Sequence, residues 1–309
     1  MIQIEHLTRR YGELTAVDDA SFQIGRGEIV GLLGHNGAGK TTIMRMMTGF
    51  LEPTSGTIRV EDLEVGRDTH AIQSRIGYLP ENCPLYPEMT VIDYLDYQAS
   101  LHGLGADKRA RAIVQSIRRT ALVDKATQTI QTLSRGYRQR VGVAQAILHG
   151  PDIVILDEPT NGLDPTQILH MRELIHELAK TATVIVTTHI LQEVQAVCDR
   201  VLILRAGKLV VNSRLDELQQ GRRLLVSVDD EAEEPLASVE GVAGVETRGK
   251  INGRWTYALN AGDEVAPQVV DVLAGVGRRI YTLQPEHRDL ETVFAEVNEI
   301  AQPGEVSHG

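Results

Sequence analysis

Two cysteines in 309 residues, Cys83 and Cys198, are too few for a disulfide framework and too far apart for a metal knuckle. They fit structural thiols in a reducing cytosol. Aromatic residues make up only 4%, with a single Trp. Apolar runs are short: "VLIL" at 201–204 falls far below the roughly 20 residues that cross a bilayer. The chain is therefore not expected to span a membrane by itself. Its first residues, "MIQIEHLTRRYG", lack the basic flank and apolar stretch of a secretory signal. Positive charge is scarce too. The net charge is −11, and residues 221–309 carry most of that excess with 8 Lys+Arg against 16 Asp+Glu. This balance argues against a nucleic-acid partner, because phosphate backbones are bound by dense Lys and Arg. The acidic C-terminal region fits a solvated surface. No low-complexity tract or fixed-period repeat is visible.

What is present is a globular balance, 42% apolar and 24% charged, in a length that suits one large domain and one small one. Within it, "GEIVGLLGHNGAGKTTIMRMMTGF" reads as strand, glycine-rich loop and helix, with Ile43, Met46, Met47 and Phe50 at helical spacing. Gly34, Gly39, Lys40 and Thr41 match G-x-x-x-x-G-K-[ST]. A loop that wraps phosphates must aim several backbone N–H groups inward, and glycine permits the turns and the close approach. Asn36, Gly37, Ala38 and Thr42 complete the cradle. Lys40 supplies a point charge, Thr41 a hydroxyl for Mg2+, and the helix start points its positive end at the phosphates.

Such a cradle needs an acid that holds the metal. "PDIVILDEPT" offers four β-prone apolar residues ending in Asp157 and Glu158, as suits a buried parallel strand with its acids at the carboxyl end. Asp157 would sit beside the Mg2+ shell, and Glu158 could polarise an attacking water. A further strand, "TATVIVTTH", ends in His189, a candidate contact to the γ-phosphate. No Asn-Lys pair is present to read guanine, which disfavours a GTPase.

These pieces, in this order, resemble the ATP-binding subunits of ABC transporters, and "LSRGYRQRVGVAQAIL" at 133–148 decides the likeness. Leu133, Ser134 and Gly136 match the family's Leu-Ser-Gly-Gly-Gln signature, while Arg135 and Tyr137 depart from it. The resemblance implies a head-to-tail dimer in which residues 134–137 reach the γ-phosphate of the partner's ATP. Ser134 is also a natural N-cap, and a free helix start is an anion site. Tyr11 stands where the family stacks an aromatic on adenine; by itself it could equally be an exposed turn residue. Asp164 matches the loop that couples the two sites. Glu81 replaces the usual Gln as a possible metal ligand, adding negative charge beside Asp157 and Glu158. These variants resemble the ATPases of type-2 exporters of the drug-resistance and gliding-motility types.

The implied fold is α/β: a P-loop NTPase core with a RecA-like parallel sheet, an antiparallel β edge and a helical subdomain at about 84–150, together spanning 1–218. Lys40 and Asp157 are 117 positions apart, far more than one crossover helix needs, and "TVIDYLDYQASLHGL" and "KRARAIVQSIRRTALV" read as helices in that gap. Leu85, Tyr86 and Met89 could anchor a membrane partner or pack internally. Residues 219–309 read as a small α+β accessory domain ending in a helix with Asp289 as cap and Leu290, Val293, Phe294 and Val297 on one face. The expected partners are ATP with Mg2+, a second copy of the chain and a separately encoded integral membrane permease, with export following by resemblance. The location is then cytoplasmic and peripheral on the inner face of the cell membrane. A soluble ATP-dependent switch that remodels a ribosome or an assembly scaffold is the alternative.

Overall fold

The computed structural model describes residues 1–219 and 223–285, with Leu290 and Phe294. It divides into two compact units, Met1–Leu215 and Asp216–Gly309.

In chain order the first unit begins with β1 (Ile2–Tyr11), β2 (Leu14–Ile24), β3 (Ile29–Leu33), α1 (Lys40–Met47), β4 (Ser55–Val60), β5 (Leu63–Glu64), α2 (Thr69–Gln73) and β6 (Ile76–Leu79). Three long helices follow: α3 (Val91–Leu101), α4 (Ala106–Arg119) and α5 (Arg135–Ile147). The chain then continues through β7 (Ile153–Asp157), α6 (Pro165–Ala179), β8 (Thr183–Thr188), α7 (Leu191–Val197), β9 (Arg200–Arg205) and β10 (Lys208–Arg214), and the short α8 (Leu215–Gln219) starts at the last residue of this unit. The main sheet has the order β10-β9-β3-β8-β7-β6. All its pairings are parallel except that of β10, which closes one edge against β9. Strands β3, β7 and β8 are buried at every position, which is why their centres read as apolar runs without polar alternation. A second, antiparallel sheet has the order β2-β1-β4-β5 and shares a core with one face of the main sheet.

Register decides where the chemistry collects. Strand β8 lies between β3 and β7, with Leu33 opposite Thr188 and Asp157 opposite Thr187. Three strands therefore stop in line, and the loops after β3, β7 and β8 emerge side by side at the carboxyl edge.

Helix α1 buries Ile43, Met44, Met46 and Met47. The apolar spacing does not extend to Phe50. The helix is capped at Thr48, Gly49 turns the chain at φ 72°, and Phe50 is left 71% exposed. Helices α3 to α5 build their own core around Tyr94, Leu95, Ile117 and Val141. Thr90 caps α3 by accepting from Asp93 N at 3.2 Å. Leu85 and Met89 pack against this core, so of the three candidate anchors only Tyr86 is exposed, with its ring against Tyr94 and Tyr97.

The second unit runs β11 (Arg223–Val228), α9 (Glu233–Ala237), β12 (Val245–Ile251), β13 (Arg254–Asn260), α10 (Ala266–Gly275) and β14 (Ile280–Pro285). Its sheet is antiparallel in the order β12-β13-β11-β14, the topology of a ferredoxin-like βαββαβ unit. Leu224, Val226, Tyr257, Leu259, Val269 and Leu273 form its core, and Tyr257 Oη accepts from Ala232 N at 2.9 Å. The helix expected over 289–300, with Asp289, Val293 and Val297, lies outside the described residues apart from Leu290 and Phe294.

Candidate functional site

A cavity of about 380 Å3 opens at the carboxyl edge of the main sheet. Tyr11, Asn36, Gly37, Gly39, Lys40, Thr41, Thr42, Glu81, Asp157, Glu158 and His189 all line it. Of the cradle residues read from the sequence, Gly34 and Ala38 sit behind the wall. A Cβ on Gly34 would approach Leu204 O to 2.5 Å, and Ala38 is buried with its N–H donating to His35 O at 3.0 Å.

The loop turns into α1 through Gly39, whose φ of 108° is closed to residues with side chains. A Cβ there would also approach Ala16 O to 2.6 Å. The first turn of α1 contains no acid to neutralise its positive end. Lys40 is 7% exposed, and its ammonium donates to Gly34 O at 2.6 Å and His35 O at 3.3 Å. Burial pushes its pKa down, against the opposing pull of Glu158, Asp157 and Glu81.

Asp157 is 3% exposed at the tip of β7. Its carboxylate accepts hydrogen bonds from Thr187 Oγ1 and, at 3.5 Å, from Tyr78 Oη. Burial first, and the Asp157 charge second, push the Tyr78 phenol up to about 12, so it stays protonated as a donor. Glu158 adopts a left-handed φ of 50°, which redirects the chain as it leaves the sheet. Its N–H donates to Thr187 O and Oγ1, both at 3.1 Å. Its carboxylate lies 3.0 Å from His189 Nδ1 through both oxygens. The proton of a neutral His189 ring is therefore placed on Nδ1, leaving Nε2 as an acceptor unless the ring is charged.

Residues 134–137 stand apart. Ser134 caps α5, with Oγ accepting from Tyr137 N at 3.5 Å. Gly136 and Tyr137 line a different cavity, together with Arg140 and Asp164. Asp164 caps α6 through a capping box with Gln167, accepting from Gln167 N at 2.9 Å. Two close fits interlock this start of α5 with the first turn of α6 and with the loop after β7. A Cβ on Gly136 would meet the Gln167 carboxamide at 2.5 Å, and one on Gly162, where φ is 70°, would meet Arg135 Cζ at 2.4 Å. The Arg135 guanidinium thus lies directly over Gly162, four residues after Glu158.

The chain matches the ABC transporter family model over residues 17–161. It is 32% identical over 298 residues to YdbJ of Bacillus subtilis strain 168, an uncharacterised ABC transporter ATP-binding protein, covering 95% of this chain and 94% of YdbJ. The chain belongs to the ABC transporter ATP-binding family. This ABC ATPase is also 36% identical to the linearmycin resistance ATP-binding protein LnrL of the same organism, over 214 residues that cover 68% of each chain. Among solved structures, cbiO1 of Clostridium perfringens, part of the ABC transporter complex cbiONQ, is 27% identical with a TM-score of 0.66, covering 70% of this chain and 89% of cbiO1. These relationships make the chain the ATP-binding, ATP-hydrolysing subunit of an ABC transporter with a P-loop NTPase fold.

Four groups at the site of this ABC ATPase escaped the sequence reading. Thr187 and Tyr78 hold Asp157, Asn161 lines the cavity, and Gly162 seats Arg135. Thr187 and Thr188 close β8 after Val184, Ile185 and Val186, and hydroxyls so close to a strand tip were the available signal. Nothing in the sequence pairs Arg135 with Gly162.

Proposed function

We propose that two copies of this subunit close head-to-tail around two Mg-ATP and drive a separately encoded integral membrane permease, as an exporter. The observation that carries this reading is the division of labour between two cavities. Lys40, Thr41, Asp157, Glu158 and His189 converge on one, whereas the start of α5 at Ser134 and Gly136 adjoins another, so a second copy is needed to bring them together.

On this reading the backbone N–H groups of residues 36–41 and Lys40 bind the phosphates, and Tyr11 offers its ring to adenine. Thr41, Asp157 and Glu81 are the oxygen donors that would hold Mg2+, which takes few protein carboxylates alongside substrate phosphates. No group of three or more His, Cys, Asp or Glu side chains among the described residues is arranged to hold a metal alone, in keeping with such a shared shell. When bound, the ion supplies charge neutralisation on the transferring phosphoryl group. Glu158 orients the attacking water and accepts its proton, and His189 holds the Glu158 carboxylate and turns toward the γ-phosphate. Ser134, Arg135, Gly136 and Tyr137 cap the partner's nucleotide, with Asp164 coupling the two sites.

A peripheral position on the inner face of the membrane agrees with two facts. Among the described residues no helix is long and apolar enough to cross a bilayer, and Phe50 and Tyr86 are exposed at 71% and 47%. The resistance activity named for LnrL supports export.

Glu158→Gln keeps the shape and removes the base, so it should trap an ATP-bound dimer detectable by light scattering. Adding Ser134→Arg should return that dimer to ATP-bound monomer. A Glu158→Gln chain that hydrolyses ATP at the parent rate would refute the assignment and point to Glu81.

A further inference from the structure

We infer that α4 is a docking surface for anionic lipid headgroups. In a chain of net charge −11, this one helix, ADKRARAIVQSIRR, carries five Lys or Arg and a single Asp. At 3.6 residues per turn, Lys108, Arg111, Gln115, Arg118 and Arg119 fall within an arc of about 100°. The buried Ile113 and Ile117 face the opposite way. Arg109 lies off the stripe and pairs with Asp96. Arg119 donates to Glu177 O and Thr181 Oγ1. Lys108, Arg111 and Arg118 are exposed and have no ion-pair partner among the described residues.

A helix face that merely meets water usually alternates its charges, because like charges three or four apart weaken the helix. Here Lys108 and Arg111 stand three apart on the exposed face, the helix's one acid, Asp107, is a turn before Arg111, and Arg118 has neither Asp nor Glu one turn away on either side. The sequence accepts that cost. Val114, 48% exposed, borders the stripe and adds an apolar edge. The apolar face of α4 is buried in the protein, so the cationic stripe meets an anionic surface through charge, at the headgroup level.

Position selects the occupant. Lys108, Arg111, Gln115 and Arg119 line a groove that also includes His149. His149 in turn lines the neighbouring cavity of about 400 Å3 formed with Phe50, Tyr78, Pro84 and His102. If the exposed apolar residues meet a membrane-embedded partner, as the proposed function holds, the basic stripe beside them faces the headgroup plane. The proposal rests on that reading for its orientation only. A nucleic acid is a poorer fit: a single helical stripe on an acidic chain lacks both the extended basic tract and the interleaved aromatics.

The test uses the full purified chain and protein-free vesicles, either of phosphatidylcholine alone or of equal parts phosphatidylcholine and phosphatidylglycerol. Sedimentation should recover the chain with the anionic vesicles, and salt should release it. The triple variant Lys108→Gln, Arg111→Gln, Arg118→Gln should partition about a hundredfold more weakly, at roughly fivefold for each charge near an anionic surface. Its basal ATPase should be unchanged and its melting no lower than the parent's. Equal recovery on both vesicle types, or parent-like binding by the triple variant, would overturn the proposal. A parallel arm uses anionic vesicles that contain a permease; charge-dependent recovery seen only in that arm would also overturn the proposal, since it assigns the stripe to an acidic protein segment. Because the protein-free arm contains no permease and its readout is not dimerisation, failure there is separate from failure of the Glu158→Gln trap.

Discussion

Replacing Thr187 by valine tests whether the buried carboxylate of the site depends on one hydroxyl. Thr187 is fully buried, and its Oγ1 donates to Asp157 Oδ1 while accepting from Glu158 N at 3.1 Å. Valine keeps the shape and removes both interactions. Glu158 N retains Thr187 O at 3.1 Å, so the loss falls mainly on Asp157. Of the donors named for that carboxylate, only Tyr78 Oη would remain, at a long 3.5 Å. A hydrogen bond to a charged group contributes about 1.5–3 kcal/mol, and leaving a buried acceptor unpaired belongs to the same range. Taking about 2 kcal/mol, the unit of residues 1–215 should melt ~4–8 °C lower. Felt in full at the transition state, the same energy lowers kcat/KM about 30-fold. Far-UV circular dichroism measures the melting. Trp255, the single tryptophan, lies in the C-terminal unit, and its fluorescence transition serves as an internal reference. Thr187→Ser, which keeps the hydroxyl, should retain activity and lose about 1 kcal/mol for the missing methyl. A valine variant that melts and turns over like the parent would show that the hydroxyl does not support Asp157.

Three further outcomes are expected. Gly162→Ala adds a Cβ at φ 70° within 2.4 Å of Arg135 Cζ, so it should weaken ATP turnover. Adding Arg135→Gly should restore part of that turnover, with a coupling of about 1 kcal/mol in the double-mutant cycle; strict additivity would refute the contact. Phe50→Asp with Tyr86→Asp should reduce recovery of the chain with permease-bearing membranes and leave basal ATPase intact, whereas Leu85→Asp should destabilise the helical core it packs on; unaltered recovery in the first case would disprove docking there. Burial first, then the neighbouring His102, pushes the His149 pKa down from 6.5 to about 4. The unfolded chain then takes up the proton first, so stability is lost as pH falls from about 6.5 towards 4, amounting to about 1–2 kcal/mol at pH 5. Denaturant midpoints for His149→Phe at pH 7 and pH 5 should show a smaller acid loss than the parent.

The segments that meet the two cavities were legible in the chain because each is local. Gly34 to Thr41, Asp157 with Glu158, and Ser134 with Gly136 each lie on a few consecutive residues next to an apolar run, and short-range sterics and buried strands leave a direct imprint on such stretches. The small α+β unit was legible in part: "LLVSVD", "RWTYALNA" and "RRIYTLQP" read as strands and "EVAPQVVDVLAGV" as a helix, whereas α9 and β12, short or polar, carried no such pattern. Tertiary structure decided what depends on register and on cavities. Placing β8 between β3 and β7 brings Thr187 to Asp157 and His189 to Glu158, pairs 30 and 31 positions apart that no local pattern links. It also decided that α1 stops before Phe50 and leaves that ring exposed, while Leu85 and Met89 turn inward. Apolar spacing states that a residue can be buried; which surface reaches it is set by the packing of segments distant in the chain. Arg135 over Gly162 shows the same limit, since its space exists only because a glycine 27 positions away has no side chain.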